Sequence, residues 1–299
     1  MGYHTPIMVA ECMQGLRINP NGIYVDLTFG GGGHTQEILR RLNKNGRVFA
    51  FDKDPDTREN VPDDNRLQFI EGDFRFFKNY LRFFNIDKVD GIMADLGISS
   101  HHLEFSERGF SFRYDSQLDM RMDPEQKLTA AEIVNNYNEK DLISVFKDYG
   151  EIKNPYKIID QIVKRRKQGA ISTVRDFLDT INPCIPEKFQ HKFLAKVFQA
   201  LRIEVNDEIS HLEQMLNHIP GALKKGGRFV VITFHSLEDR VVKYFIKTGN
   251  VYGKEHKDLY GNMNIPVHAV NKKVIVANQE EIKQNPRARS AKLRIAEKY

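Results

Sequence analysis

A run of four glycines, residues 30–33 of the segment DLTFGGGGH, follows a short apolar stretch and precedes a helical pattern. Glycine lets a backbone adopt left-handed conformations and lets another group lie directly against it. A strand, a glycine turn and a helix in this order form the first unit of an open α/β sheet, in which ligands bind beside the turn. The glycine run therefore predicts an α/β fold with a ligand close to this backbone.

Strand-like and helix-like patterns alternate over the first hundred residues. Buried strands separated by crossovers of helical length predict a parallel, doubly wound sheet. The predicted strands are 23–27, 47–52, 67–70 and 89–96, and the predicted helices between them are 34–42 and 74–84.

The alternation stops between residues 107 and 205, where the sequence contains no strand pattern. Thr129 and Glu132 have the spacing of a capping box, which starts a helix towards Tyr137. Further helices are predicted over 156–167 and from Pro186 onwards. The last of these carries an apolar stripe that is typical of a core-facing surface: Phe189, Phe193, Val197, Leu201 and Val205.

The sheet pattern resumes with a turn over 223–228 and a buried strand over 229–234. Two later strands, 273–277 and 292–296, bracket a basic turn as an antiparallel edge hairpin does. The predicted fold class is therefore α/β, a doubly wound sheet interrupted after its fourth strand by an all-helical insertion. The predicted limits are 1–106 and 206–299 for the two parts of the sheet domain and 107–205 for the insertion.

The composition limits the cellular setting of the chain. The sequence has no run of about 18 apolar residues, so we expect no membrane span, and its first residues lack the pattern of a signal peptide. The two cysteines, Cys12 and Cys184, have no paired spacing of the kind found in zinc sites, which is typical of a reducing compartment. We therefore expect a cytoplasmic protein without a motif for a metal site.

The net charge of +5 is concentrated near one end of the chain. Residues 283–299 carry six Lys or Arg against one Glu, so this segment alone accounts for the whole net charge. A collected basic patch indicates a polyanionic partner such as a nucleic acid. The alternative is a solvated basic segment that only aids solubility.

Two phosphate-binding motifs fit the glycine run poorly. A P-loop needs Lys followed by Ser or Thr after the final glycine, but His34 follows Gly33. A dinucleotide fingerprint needs a glycine where this chain has Thr35 or Gln36, depending on the glycine from which the count starts. The spacing therefore disfavours a P-loop protein and a nicotinamide-dependent dehydrogenase.

Acidic residues follow three successive predicted strands, at the edge where open α/β sheets bind ligands. Asp52 ends the second strand and is placed to accept hydrogen bonds from an adenosine ribose, whereas a side chain of the segment 71–74 can border the adenine. Asp95 ends the fourth strand, where an anion suits a cationic ligand better than a pyrophosphate. S-adenosylmethionine carries a sulfonium and an ammonium group, so these residues together predict an S-adenosylmethionine site. Each Asp alone is more often a helix cap or a solvated turn.

Six motifs, in order along the chain, resemble the bacterial RsmH (MraW) family of 16S ribosomal RNA cytosine-N4 methyltransferases. The resemblance extends from His4 to Tyr299 and implies a class I S-adenosylmethionine-dependent fold with a helical insertion. It also implies methyl transfer to N4 of a decoding-centre (P-site) cytidine, with an assembled 30S subunit as substrate and a homodimer as a possible state. The motifs are TFGGGGH (28–34), DLGISS (95–100), ERGFSF (107–112), LDMRMD (118–123), FHSLEDR (234–240) and NPRARS (285–290).

The resemblance also assigns residues to the cofactor. His102 stands where the family often has Gln, and its imidazole can still form a hydrogen bond. The implied S-adenosylmethionine contacts are Gly32, Gly33, His34, Asp52, Phe74, Asp95 and His102.

Three residues are candidates for catalysis: Asp95, Ser99 and His235. Asp95 occupies the place of the acidic or amide residue in the Asp/Asn-Pro-Pro-aromatic motif of DNA amino-methyltransferases, but the sequence Asp-Leu-Gly-Ile lacks the prolines and the stacking ring. Another element must then hold the base. For His235, the alternative is that it caps the following helix.

A loop of interleaved aromatic and basic residues is the candidate element for holding an unstacked base and its phosphates. The alternative is a hydrophobic latch between the insertion and the sheet. The candidate substrate residues are Arg108, Phe110, Phe112 and Arg113 in this loop, and Arg287 and Arg289 in the basic segment.

Two other functions remain open at this point. A DNA amino-methyltransferase shares the cofactor and the basic surface, and a non-catalytic ribosome assembly factor would bind S-adenosylmethionine without transferring its methyl group.

Overall fold

The computed structural model describes residues 6–98, 108–263 and 265–299. The chain divides into two compact units, which we call the sheet unit, residues 1–97 with 209–299, and the helical unit, residues 98–208. The sheet unit is therefore built from two stretches of chain that lie more than a hundred residues apart in sequence.

The sheet unit contains one mixed sheet with eight strands in the described residues, in the order β3-β2-β1-β4-β5-β8-β6, with β7 beside β8. Strands β1 to β5 pair in parallel, and β8 runs antiparallel to β5. The doubly wound sheet predicted from the sequence is confirmed. The strands are β1 Ile23–Asp26, β2 Arg47–Asp52, β3 Leu67–Glu71, β4 Val89–Asp95, β5 Leu223–Thr233, β6 His268–Ala269, β7 Ile275–Val276 and β8 Lys292–Glu297.

Successive side chains of the parallel strands enter different apolar clusters. Val25 packs with Phe51 and Ile92 in one cluster, whereas its neighbour Tyr24 packs with Val48 in another. This alternation places one cluster on each face of the sheet, and it explains why the strands are apolar throughout. The helices of this unit are α1 Val9–Leu16, α2 Gly33–Arg41, α3 Phe77–Phe83, α9 Glu208–Ala222, α10 Ser236–Thr248 and α11 Gln279–Gln284.

The helical unit packs around its own apolar core, which includes Phe146 and Phe177. Over residues 108–208 the structure has no strand, only an isolated bridge between Gln117 and Thr173. The predicted capping box at Thr129 is confirmed. The helices are α4 Ala130–Asn136, α5 Glu139–Ser144, α6 Tyr156–Arg166, α7 Val174–Ile181 and α8 Gln190–Asn206, with a π-helical turn at Val145–Tyr149.

Three details of the sequence prediction differ from the structure, and the first is that residues 223–228, predicted as a turn, belong to strand β5. Phe189 does not join the apolar stripe, because it lies in a short 3-10 turn before α8 and is 58% exposed. The predicted antiparallel pairing of the last two strands is confirmed, but the connection is not a simple turn, since β7 has only two residues and α11 with a 3-10 turn at Pro286–Ser290 separates it from β8. Strand β8 is also not an edge, because it pairs with β5 on one side and with β6 and β7 on the other.

Within the described ranges, no helix combines the length and the apolar character that crossing a bilayer requires.

Candidate active site

The glycine turn between β1 and α2 leaves room for protein atoms as well as for a ligand. A Cβ atom on Gly32 would lie 2.8 Å from the ring of Phe29, and one on Gly33 would lie 2.6 Å from the ring of Pro6. Gly30 differs, because it has a left-handed φ of +52° and a Cβ there would meet no atom within 4 Å. Two of the glycines therefore accommodate the chain's own side chains, whereas a side chain at Gly30 would enter open space.

Asp52, at the end of β2, fixes the shape of this turn. Its Oδ2 accepts a hydrogen bond of 2.7 Å from the backbone N–H of Gly30. Its Oδ1 accepts one of 2.9 Å from the backbone N–H of Asp54. A carboxylate offers about four lone-pair positions, so these two hydrogen bonds do not by themselves prevent a contact with the hydroxyl groups of a ribose. The predicted ribose contact is thus compatible with the structural role of Asp52.

Asp95, at the end of β4, lies beside the first turn of α2. Its Oδ2 is 3.8 Å from Nδ1 of His34, and its backbone N–H donates a 2.6 Å hydrogen bond to Oγ1 of Thr28. Nε2 of His34 lies 3.0 Å from the carbonyl oxygen of Ile7. Because a carbonyl only accepts hydrogen bonds, Nε2 carries a proton, and the ring presents its other nitrogen to Asp95.

The carboxyl group of Asp95 is costly to ionise in the protein alone. Burial, together with the negative charge of Asp26, raises its pKa to about 6 against the opposing effects of His34 and Arg287. Its Oδ1 atom is buried and has no hydrogen-bond partner among the described residues. Burying such an acceptor without a partner is unfavourable, so the site is suited to a ligand that brings a positive charge or a donor.

Asp26, at the end of β1, holds two threonines near this site by hydrogen bonds. Its Oδ2 accepts a 2.7 Å hydrogen bond from Thr35, and its Oδ1 accepts one of 3.1 Å from the backbone N–H of Thr28. Burial raises the pKa of Asp26, whereas His34 and the two threonines lower it. Asp26 was not among the sequence candidates, although a charged residue inside an otherwise apolar strand was a signal for it.

Phe74 follows β3 at the same edge of the sheet. It begins a 3-10 turn, Phe74–Phe76, that is capped by Asp73, and its ring packs partly buried against one of the sheet clusters. The structure therefore brings Gly30, Asp52, Phe74 and Asp95 to the carboxyl edge of parallel strands, where ligands of open α/β sheets bind. The acceptor at Asp95 and the open space at Gly30 fit a cationic nucleoside cofactor.

A model described as the MraW methylase family matches residues 1–299. The chain belongs to this family. Proteins named ribosomal RNA small subunit methyltransferase H from Phocaeicola vulgatus and Bacteroides thetaiotaomicron are 52% and 53% identical over 296 residues, which cover 99% of this chain and 97% of each relative. A solved structure of an rRNA-methylase candidate from Clostridium thermocellum is 13% identical with a TM-score of 0.47, over 99% of this chain and 100% of that chain.

Membership of this family confirms three expectations from the sequence. The chain is an enzyme, its fold is that of the class I methyltransferases, and its cofactor is S-adenosylmethionine. The residues predicted to contact the cofactor stay predictions, and two candidates of the family set, His102 for the cofactor and Ser99 for catalysis, lie outside the described residues.

His235 caps helix α10, which is the alternative that the sequence left open. Its Nδ1 accepts a hydrogen bond from the backbone N–H of Glu238, and Oε2 of Glu238 accepts one from the backbone N–H of His235. The imidazole side chain is 8% exposed, and its Nε2 lies 3.0 Å from Oε1 of Glu238. This reciprocal cap confirms the capping role of His235, and its catalytic role stays a prediction.

The loop proposed to hold the base contributes its rings to the core of the helical unit. Phe110 is buried at 6% exposure, and Phe112 makes edge contacts with Phe198 and His191. Arg108 donates a hydrogen bond to a backbone carbonyl of the same unit, and Arg113 is exposed. The structure therefore gives the two phenylalanines a packing role and leaves Arg113 available to a substrate.

The basic segment is partly neutralised within the sheet unit. Lys292 and Arg294 of β8 both form ion pairs with Asp239, at 3.3 and 2.8 Å, and Lys298 donates to backbone carbonyls. Arg289 is exposed on the 3-10 turn, and Arg287, on the same turn, is half-buried and acts on the charge of Asp95. Of the six cations, three stabilise the fold, so the basic surface is smaller than the sequence indicates.

Proposed function

We propose that this protein transfers a methyl group from S-adenosylmethionine to the N4 amino group of a decoding-centre cytidine in small-subunit ribosomal RNA. The nature of the substrate is supported by the relatives at 52% and 53% identity, whose names describe methyltransferases of that RNA. The observation that carries the chemistry is Asp95, a half-buried carboxylate whose Oδ1 atom is buried and lacks a hydrogen-bond partner in the described structure.

The amino group of cytosine is a weak nucleophile because its lone pair is delocalised into the ring. An acceptor that binds an N4 hydrogen favours the pyramidal amine and then receives the proton. Asp95 has the pKa for this role, since a value of about 6 lies close to neutral pH. When bound, S-adenosylmethionine supplies a methyl group activated by a positively charged sulfur.

The other residues of the site orient Asp95. The hydrogen bond to Thr28 fixes its backbone, and the Ile7 carbonyl holds the ring of His34 beside its carboxylate. Much of the catalysis of a direct displacement comes from such alignment and from excluding water. Because Phe110 and Phe112 pack in a core, we assign RNA binding to the exposed cations Arg113 and Arg289 and to Arg287.

We further propose an assembled 30S particle as the substrate, a homodimer as a possible functional state and the cytoplasm as the location. The particle and the dimer follow from the family resemblance, and the location agrees with ribosomal RNA as substrate and with Cys12 and Cys184, which are both free thiols.

Mass spectrometry of small-subunit RNA from cells with and without the gene tests the proposal. We expect one N4-methylcytidine to disappear and to return with the wild-type gene but not with Asp95→Ala. Purified enzyme with labelled S-adenosylmethionine is then offered naked 16S RNA, 30S particles or DNA. Label in DNA alone, or bound cofactor with no transfer to any of the three, would overturn the proposal in favour of a DNA methyltransferase or an assembly factor.

A further inference from the structure

Three side chains of the sheet unit join helix α9 to the turn that follows β3. Nδ1 of His211 on α9 lies 2.8 Å from Oδ2 of Asp73, and Nε2 lies 2.6 Å from the Nη1 atom of Arg75. Asp73 also accepts a 2.9 Å hydrogen bond from the backbone N–H of Arg75. We call this set the His211 clamp, and its two partners lie immediately before and after Phe74.

The partners determine the protonation of His211. A guanidinium group only donates hydrogen bonds, so Nε2 of His211 accepts from Arg75. The remaining proton of the neutral ring is then on Nδ1, which donates to Asp73. The ring therefore bridges an acceptor and a donor, and neither Ala nor any acidic or basic side chain reproduces both bonds.

The clamp is shielded from water. The side chains of His211 and Asp73 are 10% and 14% exposed. Burial raises the pKa of Asp73, but the contact with His211, the hydrogen bond from the Arg75 backbone and the charge of Lys53 together outweigh this effect, so the pKa of Asp73 is below its usual value. The carboxylate is thus ionised at neutral pH, and charge-assisted hydrogen bonds in such surroundings are the strong ones.

We propose that His211 is a positioning residue for the cofactor: it holds the turn 73–75 so that Phe74 presents its ring to the adenosine of S-adenosylmethionine. This inference rests on the proposed function, because it takes Phe74 as a wall of the cofactor site. A short 3-10 turn has few hydrogen bonds of its own, so a bridge from a long helix is what restricts its movement. If the ring of Phe74 is displaced, binding of the cofactor weakens, whereas the chemical step is unchanged.

Calorimetry with S-adenosylhomocysteine and steady-state kinetics test this role. For His211→Ala we expect the Kd of S-adenosylhomocysteine and the KM of S-adenosylmethionine to rise about tenfold, with kcat and the KM for RNA within about twofold of wild type. His218→Ala is the matched control, since His218 lies on the same helix, packs its ring 6.4 Å from that of Phe77 and has no part in the clamp. We expect this control to leave the Kd unchanged.

A double-mutant cycle with Asp73→Ala provides an independent readout. We expect the loss of affinity in the double variant to be no larger than that of Asp73→Ala alone, because Asp73→Ala removes the bridge to His211 as well as its own cap of the turn. Additive losses, or a folded His211→Ala with wild-type Kd, would overturn the inference. If His211→Ala does not fold, His211→Gln replaces it. For this variant we expect a rise in Kd of about threefold, and wild-type affinity would contradict the inference. The calorimetry contains no RNA, so failure of wild-type enzyme to methylate ribosomal RNA would count against the proposed function alone.

Discussion

Oδ2 of Asp95 lies 3.8 Å from Nδ1 of His34, whose other ring nitrogen is held by the carbonyl of Ile7. His34 thus presents a fixed nitrogen to a carboxylate that burial makes difficult to ionise. The pair connects the amino-terminal segment, the first helix after the glycine turn and the end of β4 in one site.

Replacing Asp95 should weaken cofactor binding in a pH-dependent way. We expect Asp95→Asn to raise the Kd of S-adenosylmethionine about tenfold at pH 7.5, because it removes an anion that faces a cation. Wild-type affinity should fall as the pH drops through about 6, where Asp95 gains a proton, whereas the variant should show no such change. Calorimetry from pH 5 to 8 measures both, and Asp87→Asn, an exposed Asp before β4, is the control.

The same substitution should stabilise the cofactor-free protein. The folded pKa of Asp95, about 6, exceeds the ordinary value of 3.8, so ionised Asp95 opposes folding and the free energy of unfolding decreases as the pH rises from 4 to 6. Asp95→Asn should therefore be more stable than wild type at pH 7.5 by on the order of 2–3 kcal/mol and no more stable below pH 4. Urea unfolding of wild type and Asp95→Asn at both pH values tests this prediction. Equal stability of the two proteins at pH 7.5 would contradict the raised pKa of Asp95.

Gly30 should matter for the ligand more than for the fold. Gly30→Ala adds a methyl group in open space at a left-handed φ of +52°, so we expect a loss of about 1–2 kcal/mol in stability and a clear loss of cofactor affinity. Gly226→Ala is a matched control, since Gly226 also has a positive φ, +75°, and a Cβ there meets no atom within 4 Å. The control should share the stability loss and keep the affinity. Equal affinities in both variants would place the cofactor elsewhere.

Phe110 and Arg113 should separate stability from RNA binding. Phe110→Ala opens a cavity in the core of the helical unit and should cost about 3–5 kcal/mol of unfolding free energy. Arg113→Ala removes an exposed charge, so it should leave the melting temperature unchanged and lower the affinity for ribosomal RNA. The dependence of that affinity on salt should decrease by the equivalent of about one phosphate contact. An Arg113→Ala variant with unchanged RNA affinity and salt dependence removes this residue from the interface.

His235 can be tested by exchanging one helix cap for another. His235→Asn retains a capping side chain and should keep both stability and activity, whereas His235→Ala should lose about 1 kcal/mol of stability. Activity measured at a temperature where all three proteins are folded distinguishes the roles. If His235→Asn is stable but inactive, this result would support a catalytic role for His235.

The local parts of the fold could be predicted from the sequence, and the long-range ones could not. Strand β2 has its predicted bounds of 47–52 because an apolar run between polar ends defines both its burial and its length. The packing of Pro6 on Gly33 and the bridge between Asp73 and His211 join distant positions, and no period or spacing in one sequence records them. The prediction that Phe189 belongs to the apolar stripe was wrong for a related reason, since helix α8 starts only at the next residue, Gln190.

The site could be predicted in the same uneven way. Asp52 and Asp95 lie at the ends of parallel strands, as predicted, because strand ends are visible in the sequence. Their contacts with the cofactor stay predictions. Phe110 was assigned to RNA because an aromatic and basic loop has the same composition whether its rings face a base or a core, and only the packing distinguishes the two.

The pairing of β4 with β5 has a consequence for synthesis of the protein. Asp95 lies opposite Ile232 in this central ladder, so a growing chain must add more than a hundred residues before β4 acquires its second neighbour. At about 5–20 residues per second, translation leaves that apolar edge open for roughly 6–28 s. An open edge of this kind templates association with other chains. The length of the insertion thus sets how long each nascent polypeptide exposes an unpaired strand.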